Sequence, residues 1–474
     1  MTVDISTAAH ALTTPRAALD AADAVAADLA VGSAERERTG TPLLPQLRQV
    51  ADAGLLSITV PTEHGGPGLP ASTRIDVLRR LSRGDGAVGQ LLLSHFVITQ
   101  AISGLGNVEP APRIYRDVLA GAQLGNATTE RGTKTSLQRN TTLTPRGDGT
   151  WVLDGTKYYA TGALGAAWIA VAAIVAGGDG ETATVFVRPD QPGVTLDLDK
   201  WSAFGQRGTA SGEVRLDGVV VDGELVIEEG TAPDPVTGPP TVLGAYDQAL
   251  HAAIDIGIAR AALEDGAEFV RTRTRPWQEA VDAGIERADQ EPHVVRRFGE
   301  LTARLYALEA LLGRGASIID EALAQPELSR DTAAEATLTV AAAKALAQEF
   351  AVEIASGIFE LTGASGTDTS VNLDRHWRNV RTTLCTTPPA GSTSTSATTP
   401  CGAPGHRGWV SSTDRRLRWC TKHRRLVLDP CESGRCSAQP SPSRWRRRCL
   451  CGRRKTIGPG WSWSSPDTSA HWCC

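Results

Sequence analysis

Apolar residues change their spacing twice along this 474-residue chain, and that alternation limits the fold more than any single motif. Residues 15–122 place Leu43, Leu44, Leu47 and Val50, then Ile75, Leu78 and Leu81, at helical intervals. Between them VPTEHGGPGLP, 60–70, reads as a loop from its Gly and Pro. Residues 123–232 switch to short β-branched runs such as WVLDGTKYYATG, ATVFVRPD, GVTLDLDKW and GEVRLDGVVV. Asp-Gly steps at 154–155, 217–218 and 222–223 predict antiparallel hairpins there. EEGTAPDPVTGPP, 228–240, reads as a linker. Beyond it the helical period returns: Val295, Phe298, Leu301, Leu305, Leu308 and Leu312 share one face, and Leu346, Phe350, Ile354, Ile358 and Leu361 another. Asp331 is expected to cap the start of the last long helix and Gly363 to end it. The expected class is α+β, mainly α, with an N-terminal helical domain (15–122), a small middle β domain (123–232) and a C-terminal helical bundle (240–384).

The final region, 385–474, has a different composition. From Cys385 onward there are 15 Lys/Arg against 4 Asp/Glu, whereas the whole chain carries a net −5. All nine cysteines and six of the eleven tryptophans fall there, with no helical or strand period. A basic disulfide or zinc module is one reading, although Cys431 and Cys436, Cys449 and Cys451, and Cys473-Cys474 form no C-x-x-C pair. A nucleic-acid-binding arm is a second. The third is a change of reading frame that leaves an aberrant, disordered tail. Codons that encode Thr386 onward, read from the last base of a Cys385 codon ending in C, give HDPARWKYLHIGDYALR, which is compatible with a helix. The longest uncharged apolar run, about Ala166 to Ala176, is too short for a membrane span. No basic start followed by an apolar stretch opens the chain, so a soluble cytoplasmic protein is expected.

The stretch YYATGALGAAWIAVAAIV, 158–175, raises the question of function. Two aromatics lead into Thr161-Gly162-Ala163, and an apolar run follows. Read alone, a glycine at such a step predicts a β-bulge. Five separated blocks set it in context: LLLSHF (91–96), GNATTERGTK (125–134) with DGTKYYATGA (154–163), DKWSAFGQRGTASGEVRLDGVVV (199–221), RTRTRPW (271–277) and FELTGASGTDTSVNLDRHWRNVRT (359–382). In this order they resemble the acyl-CoA dehydrogenase fold. The resemblance covers roughly residues 15–384. It is nearest to the flavin-dependent monooxygenase branch of sulfur-acquisition oxidoreductases, dibenzothiophene monooxygenase and amine N-hydroxylases. That family continues with a segment like HTLHDPxRWKY, which the alternative frame approximates, and Thr383 and Cys385 stand where its HTLH histidines would be.

The resemblance implies a two-component monooxygenase that oxygenates a nitrogen or sulfur atom of a small amine or organosulfur substrate. It implies reduced FMN or FAD, O₂ and a flavin hydroperoxide. A separate NAD(P)H flavin reductase is expected, because no G-x-G-x-x-G follows a strand. A homotetramer or homodimer is implied; membrane and nucleic-acid partners are not. Asn126, Thr128 and Thr129 would bond the flavin edge, though short polar residues there also suit turn capping. Gly162 would pass beside the ring where a side chain would collide with it, and Thr161 would offer its hydroxyl and backbone N–H. Trp201 would pack on the ring. Arg273 would pair with cofactor phosphate, often from a neighbouring subunit. Gly363 and Ala364 would bring backbone to the cofactor, and Ser211 would face substrate. His95 would line the oxygen site as a neutral imidazole and act in catalysis and substrate binding. Two alternatives stand beside this. An acyl-CoA dehydrogenase-type flavoenzyme needs a carboxylate base, but no Glu occurs between Glu360 and Glu432, and the second known location corresponds to Asp247. A non-catalytic scaffold with a basic nucleic-acid-binding tail is the other.

Overall fold

A computed structural model describes residues 12–105, 108–134, 138–230, 237–386, 417–420 and 425–428. The described residues up to 386 belong to one compact unit and those from 417 to a second. In the second unit the described residues are two antiparallel strands, Leu417–Cys420 and Arg425–Leu428 (β9 and β10 in chain order). The tail cysteine pairs lie outside the described residues.

The N-terminal helices are α1 (Pro15–Ala30), α2 (Ser33–Thr39), α3 (Leu44–Asp52), α4 (Ala71–Gly84), α5 (Gly86–Gly104) and α6 (Ala111–Leu119). Local chemistry starts them. The Thr14 hydroxyl accepts the Ala17 N–H at 3.2 Å ahead of Pro15, and the Asp85 carboxylate accepts the Ala87 N–H at 3.0 Å. Leu47 and Val50 of α3 are buried, whereas Leu44, expected on the same stripe, is exposed. Helix α5 is long and apolar enough to cross a membrane, but most of it is enclosed by the rest of the fold.

The middle of the chain forms an eight-stranded sheet from β1 (Leu124–Ala127), β2 (Thr142–Pro145), β3 (Thr150–Tyr158), β4 (Trp168–Val175), β5 (Thr182–Val187), β6 (Val194–Asp197), β7 (Glu213–Asp222) and β8 (Val226–Gly230). The order is β6-β7-β3-β2-β4-β5-β8, with β1 joined to β4. Antiparallel pairing dominates, but β1 and β2 both run parallel to β4. The Asp-Gly steps do not all make turns. Asp154-Gly155 lies inside β3 at a bulge, and Asp217-Gly218 lies inside β7. They meet across the strands: the Gly218 N–H donates to the Asp154 carboxylate at 2.7 Å. A Cβ at Gly155 would stand 2.4 Å from the Thr141 hydroxyl, so the bulge brings its neighbour too close for a side chain.

The C-terminal helices are α7 (Leu243–Arg273), α8 (Gln278–Asp282), α9 (Pro292–Leu323), α10 (Arg330–Gly357), α11 (Phe359–Thr362) and α12 (Arg375–Thr386). Leu301, Leu305, Leu308 and Leu312 of α9 are buried as their spacing predicts, but Val295 is exposed and the buried face begins at Val294. Ser329, not Asp331, caps α10: its hydroxyl accepts the Thr332 N–H at 3.1 Å, and Asp331 lies in the first turn. Gly363, with φ +65°, follows the short α11. Inside the bundle Lys344 and Asp255 form a fully buried ion pair at 2.7 Å.

Candidate active site

Helix α5, strand β1, the turn after β3 and the loop before β7 converge on Thr161. Gly125 and Gly162 meet backbone to backbone: a Cβ at Gly125 would lie 2.6 Å from the Gly162 carbonyl. Gly162 has φ +76°, and its own Cβ would come within 3.2 Å of the Leu91 carbonyl oxygen. Protein backbone and a left-handed conformation therefore suffice to demand the glycine, whatever lies beside it. Nor is 161–163 a bulge; it is the turn beyond the end of β3. The Asn126 N–H donates to the Thr161 carbonyl at 3.0 Å, and the Asn126 amide donates to the Ser94 hydroxyl at 2.7 Å. That bond leaves the Asn126 carboxamide oxygen as an acceptor.

Thr161 continues into a line of hydroxyls. Its Oγ1 lies 3.1 Å from Ser211 Oγ, which lies 3.0 Å from Thr209 Oγ1, which donates to the Gln206 carbonyl at 2.8 Å. The Trp201 indole N–H donates to the same carbonyl at 3.0 Å. Its ring meets Tyr159 edge-on at 6.3 Å, and both side chains are partly exposed. Gln206 has φ +55° and is held by α12: its N–H donates to Asn379 Oδ1 at 2.7 Å and its side-chain amide to Thr383 Oγ1 at 2.9 Å. The structure thus brings Asn126, Thr161, Gly162, Trp201 and Ser211 together. It adds Ser94, Gln206, Thr209 and Asn379, which the sequence reading missed, and Thr383, which the resemblance marks only as standing at a family histidine. The signal available was the density of polar and glycine residues in FGQRGTASGE.

His95 does not fit its expected role. It is completely buried; Nε2–H donates to the Leu56 carbonyl at 3.0 Å and Nδ1 accepts the Leu124 N–H at 3.2 Å. Burial pushes its pKa down to about 4, so the ring is neutral at ordinary pH. Both nitrogens are committed to backbone, which leaves no atom free to meet oxygen or substrate. The ring instead ties α5 to the start of β1. Thr128 is exposed and Thr129 half-buried just past β1, where their carbonyls accept the Lys157 ammonium at 3.5 Å and the Tyr158 N–H at 2.9 Å.

Arg273, Gly363 and Ala364 form a separate, exposed group at the C-terminal end of α7. Arg273 lies over the Phe269 ring at 5.6 Å, and the neighbouring Thr274 hydroxyl donates to the Thr362 carbonyl at 3.5 Å. Ile258 of α7 packs where Gly86 begins α5, and Arg273 lies fifteen residues further on, ~22 Å along the helix. Asp247 lies near the other end of α7, bonded by the Gln248 amide at 3.0 Å, and burial pushes its carboxyl up to about 6. Cavities of about 140 Å³ beside Asp265, Arg375 and His376, and of about 360 Å³ beside Glu213 and Arg215, are not lined by Thr161.

The groups around Thr161 suit the edge and face of a flat heteroaromatic ring system. Asn126 and Thr161 present acceptors, Trp201 and Tyr159 present ring surface, and Gln123 Nε2 and Gln206 Oε1 are buried polar atoms without a partner. The donors and acceptors bonded to Asn126, Thr161 and Ser211 are hydroxyls, amides and backbone groups, all neutral.

Comparison with known proteins bears on the family and the fold. Residues 16–122, 125–219 and 249–385 match the N-terminal, middle and C-terminal domain models of acyl-CoA dehydrogenase. Dibenzothiophene monooxygenase of Rhodococcus qingshengii is 32% identical over 366 residues, which span 73% of this chain and 84% of that protein. The probable FMNH2-dependent monooxygenase SfnC of Pseudomonas putida is 28% identical over 375 residues, 78% of this chain and 91% of its own. The crystal structure of FMN-bound TdsC from Paenibacillus sp. A11-2 superimposes with a TM-score of 0.73 at 28% identity, over 79% of this chain and 94% of that one.

Proposed function

The chain belongs to the flavin-dependent monooxygenases of acyl-CoA dehydrogenase fold, and from that premise we propose that it uses reduced FMN and O₂ to oxygenate the sulfur of a small organosulfur compound. The observation that carries the reading is the neutral, hydrogen-bonded cluster of polar groups around Thr161. A dehydrogenase needs a carboxylate to take a proton from carbon. A protonated amine needs a counter-charge. A sulfur heterocycle or thioether needs neither, and none of the groups bonded to Asn126, Thr161 and Ser211 is charged.

In this reading Asn126 and Thr161 hold the edge of the ring system by accepting hydrogen bonds, and Trp201 lies against its face. When bound, reduced FMN supplies the electrons that activate O₂. His95 positions rather than reacts: by clamping Leu56 and Leu124 it sets the entry of β1, and so the place of Asn126. Arg273, with the backbone at Gly363 and Ala364, takes the phosphate. In a homodimer or homotetramer that exposed group serves the site of a second copy. Reduced FMN comes from a separate NAD(P)H-dependent flavin reductase.

The test is a coupled assay with the full chain, a flavin reductase, NADH, FMN and ¹⁸O₂, offered dibenzothiophene, a dialkyl sulfide and a primary amine. Label is expected in a sulfoxide or sulfone. Label in the amine alone, or hydrogen peroxide as the sole product with every substrate, would overturn the assignment.

A further inference from the structure

Each hydroxyl carries one proton, and the arrangement that makes every bond in the line from Gln206 to Thr161 runs in one direction. The Gln206 carbonyl can only accept, so Thr209 donates to it at 2.8 Å. With that proton committed, Thr209 accepts from Ser211 at 3.0 Å. Ser211 must then accept from Thr161 at 3.1 Å. The other neighbour of the Thr161 hydroxyl, the Tyr159 carbonyl at 3.4 Å, is also an acceptor and also turns the proton inward. The Thr161 backbone N–H, which the sequence reading offered to the ring, is held by that carbonyl at 2.8 Å. Toward anything placed beside it, Thr161 is an acceptor only. The origin of the line is fixed from elsewhere in the fold. Asn379 and Thr383 of α12 hold the Gln206 N–H and side-chain amide, and Glu37 of α2 accepts the next N–H, that of Arg207, at 3.2 Å. The Gln206 carbonyl therefore cannot turn away and release the Thr209 proton.

We propose that this one-way line makes the site read the redox state of its flavin, with Ser211 and Thr209 as positioning residues that oblige Thr161 to accept. The inference rests on the flavin reading above. Two-electron reduction with proton uptake converts ring nitrogens of the isoalloxazine from acceptors into N–H donors. The reduced ring then satisfies Thr161, whereas the oxidised ring sets an acceptor against an acceptor. A two-component oxygenase gains from this, because the pool of oxidised FMN does not occupy the site.

The test compares dissociation constants on the full chain for oxidised FMN in air and for dithionite-reduced FMN under anaerobic conditions. Wild type, Ser211→Ala, Ser211→Thr and Thr161→Val are measured, with melting curves to confirm folding. Wild type is expected to favour reduced FMN. Ser211→Ala frees the Thr161 proton to turn outward, because the 3.4 Å contact to Tyr159 is too long to hold it well. The reduced-over-oxidised preference should then fall about tenfold, the effect of one hydrogen bond. Ser211→Thr keeps a hydroxyl and should keep the preference. Thr161→Val should weaken reduced FMN by a similar factor and, because the opposed acceptor is gone, should not weaken oxidised FMN. Equal affinity of wild type for the two forms, or an unchanged ratio in Ser211→Ala, overturns the hydroxyl inference while the flavin assignment stands. Failure of wild type to bind either form overturns both.

Discussion

Replacing Glu37 by Gln isolates one titration that joins three parts of the fold. The carboxylate is 5% exposed on α2. One oxygen accepts the Arg207 N–H in the loop before β7, and the other accepts Arg378 of α12, each at 3.2 Å. Burial outweighs the attraction of Arg378 and raises the pKa from the ordinary 4.5 to about 7. The folded protein thus holds this proton more tightly than the unfolded chain does. The stability it contributes is complete below about pH 4.5 and is lost as pH rises through about 7. The difference between those values corresponds to about 3 kcal/mol. Gln keeps the size and the acceptor for Arg207 but does not titrate. Glu37→Gln should therefore gain on wild type as pH rises from about 5 to 8. Urea unfolding of both proteins in small pH steps gives the comparison, and the difference between the two profiles, not either alone, is the measured quantity. In thermal melts the relative shift is on the order of 5 °C for a chain of this size. Parallel profiles, or a variant that loses ground at higher pH, would refute the reasoning.

Other outcomes follow from the same structure. Gly162→Ala forces a side chain into φ +76° against the Leu91 carbonyl and should cost ~1–3 kcal/mol in denaturant unfolding, whereas an unchanged midpoint would show that the turn can relax. Lys344→Met leaves Asp255 buried without its partner and should cost ~3–5 kcal/mol, while adding Asp255→Leu should recover most of it; equal stability of single and double variants would argue against an isolated pair. A gene read in the alternative frame from codon 385 should yield a chain with higher oxygenase turnover than the 474-residue one, and equal turnover from the two would remove the case for a frame change.

Local pattern carried the order of the fold because burial along one helix face is a local property. Leu301, Leu305, Leu308 and Leu312 stand at helical intervals and all face inward. The domain-model match ends at residue 385, where the composition changes. What could not be read depends on partners distant in sequence. Asp154-Gly155 looks like a turn until the Gly218 N–H, 64 residues away, claims the carboxylate. His95 sits in a motif that the resemblance placed at oxygen, yet nothing in LLLSHF announces that Leu56 and Leu124 take both of its nitrogens. Gln206 adopts a left-handed conformation that sequence assigns to glycine, and it does so because a helix 173 residues later supplies the acceptor for its N–H. Arg273 belongs with phosphate chemistry by type, but within the chain its guanidinium lies over the Phe269 ring, a contact that RTRTRPW does not announce.

The grip of α12 on Gln206 also has a kinetic side. Asn379 and Thr383 are one turn apart and hold the same residue through buried side chains, so the loop before β7 cannot rearrange by a single rotamer flip. It must wait until that end of α12 releases both bonds, a local opening with its own free energy. Hydrogen exchange at the single amide of Gln206 would report how often that helix end lets go, and therefore how often the line of hydroxyls leading to Thr161 comes undone.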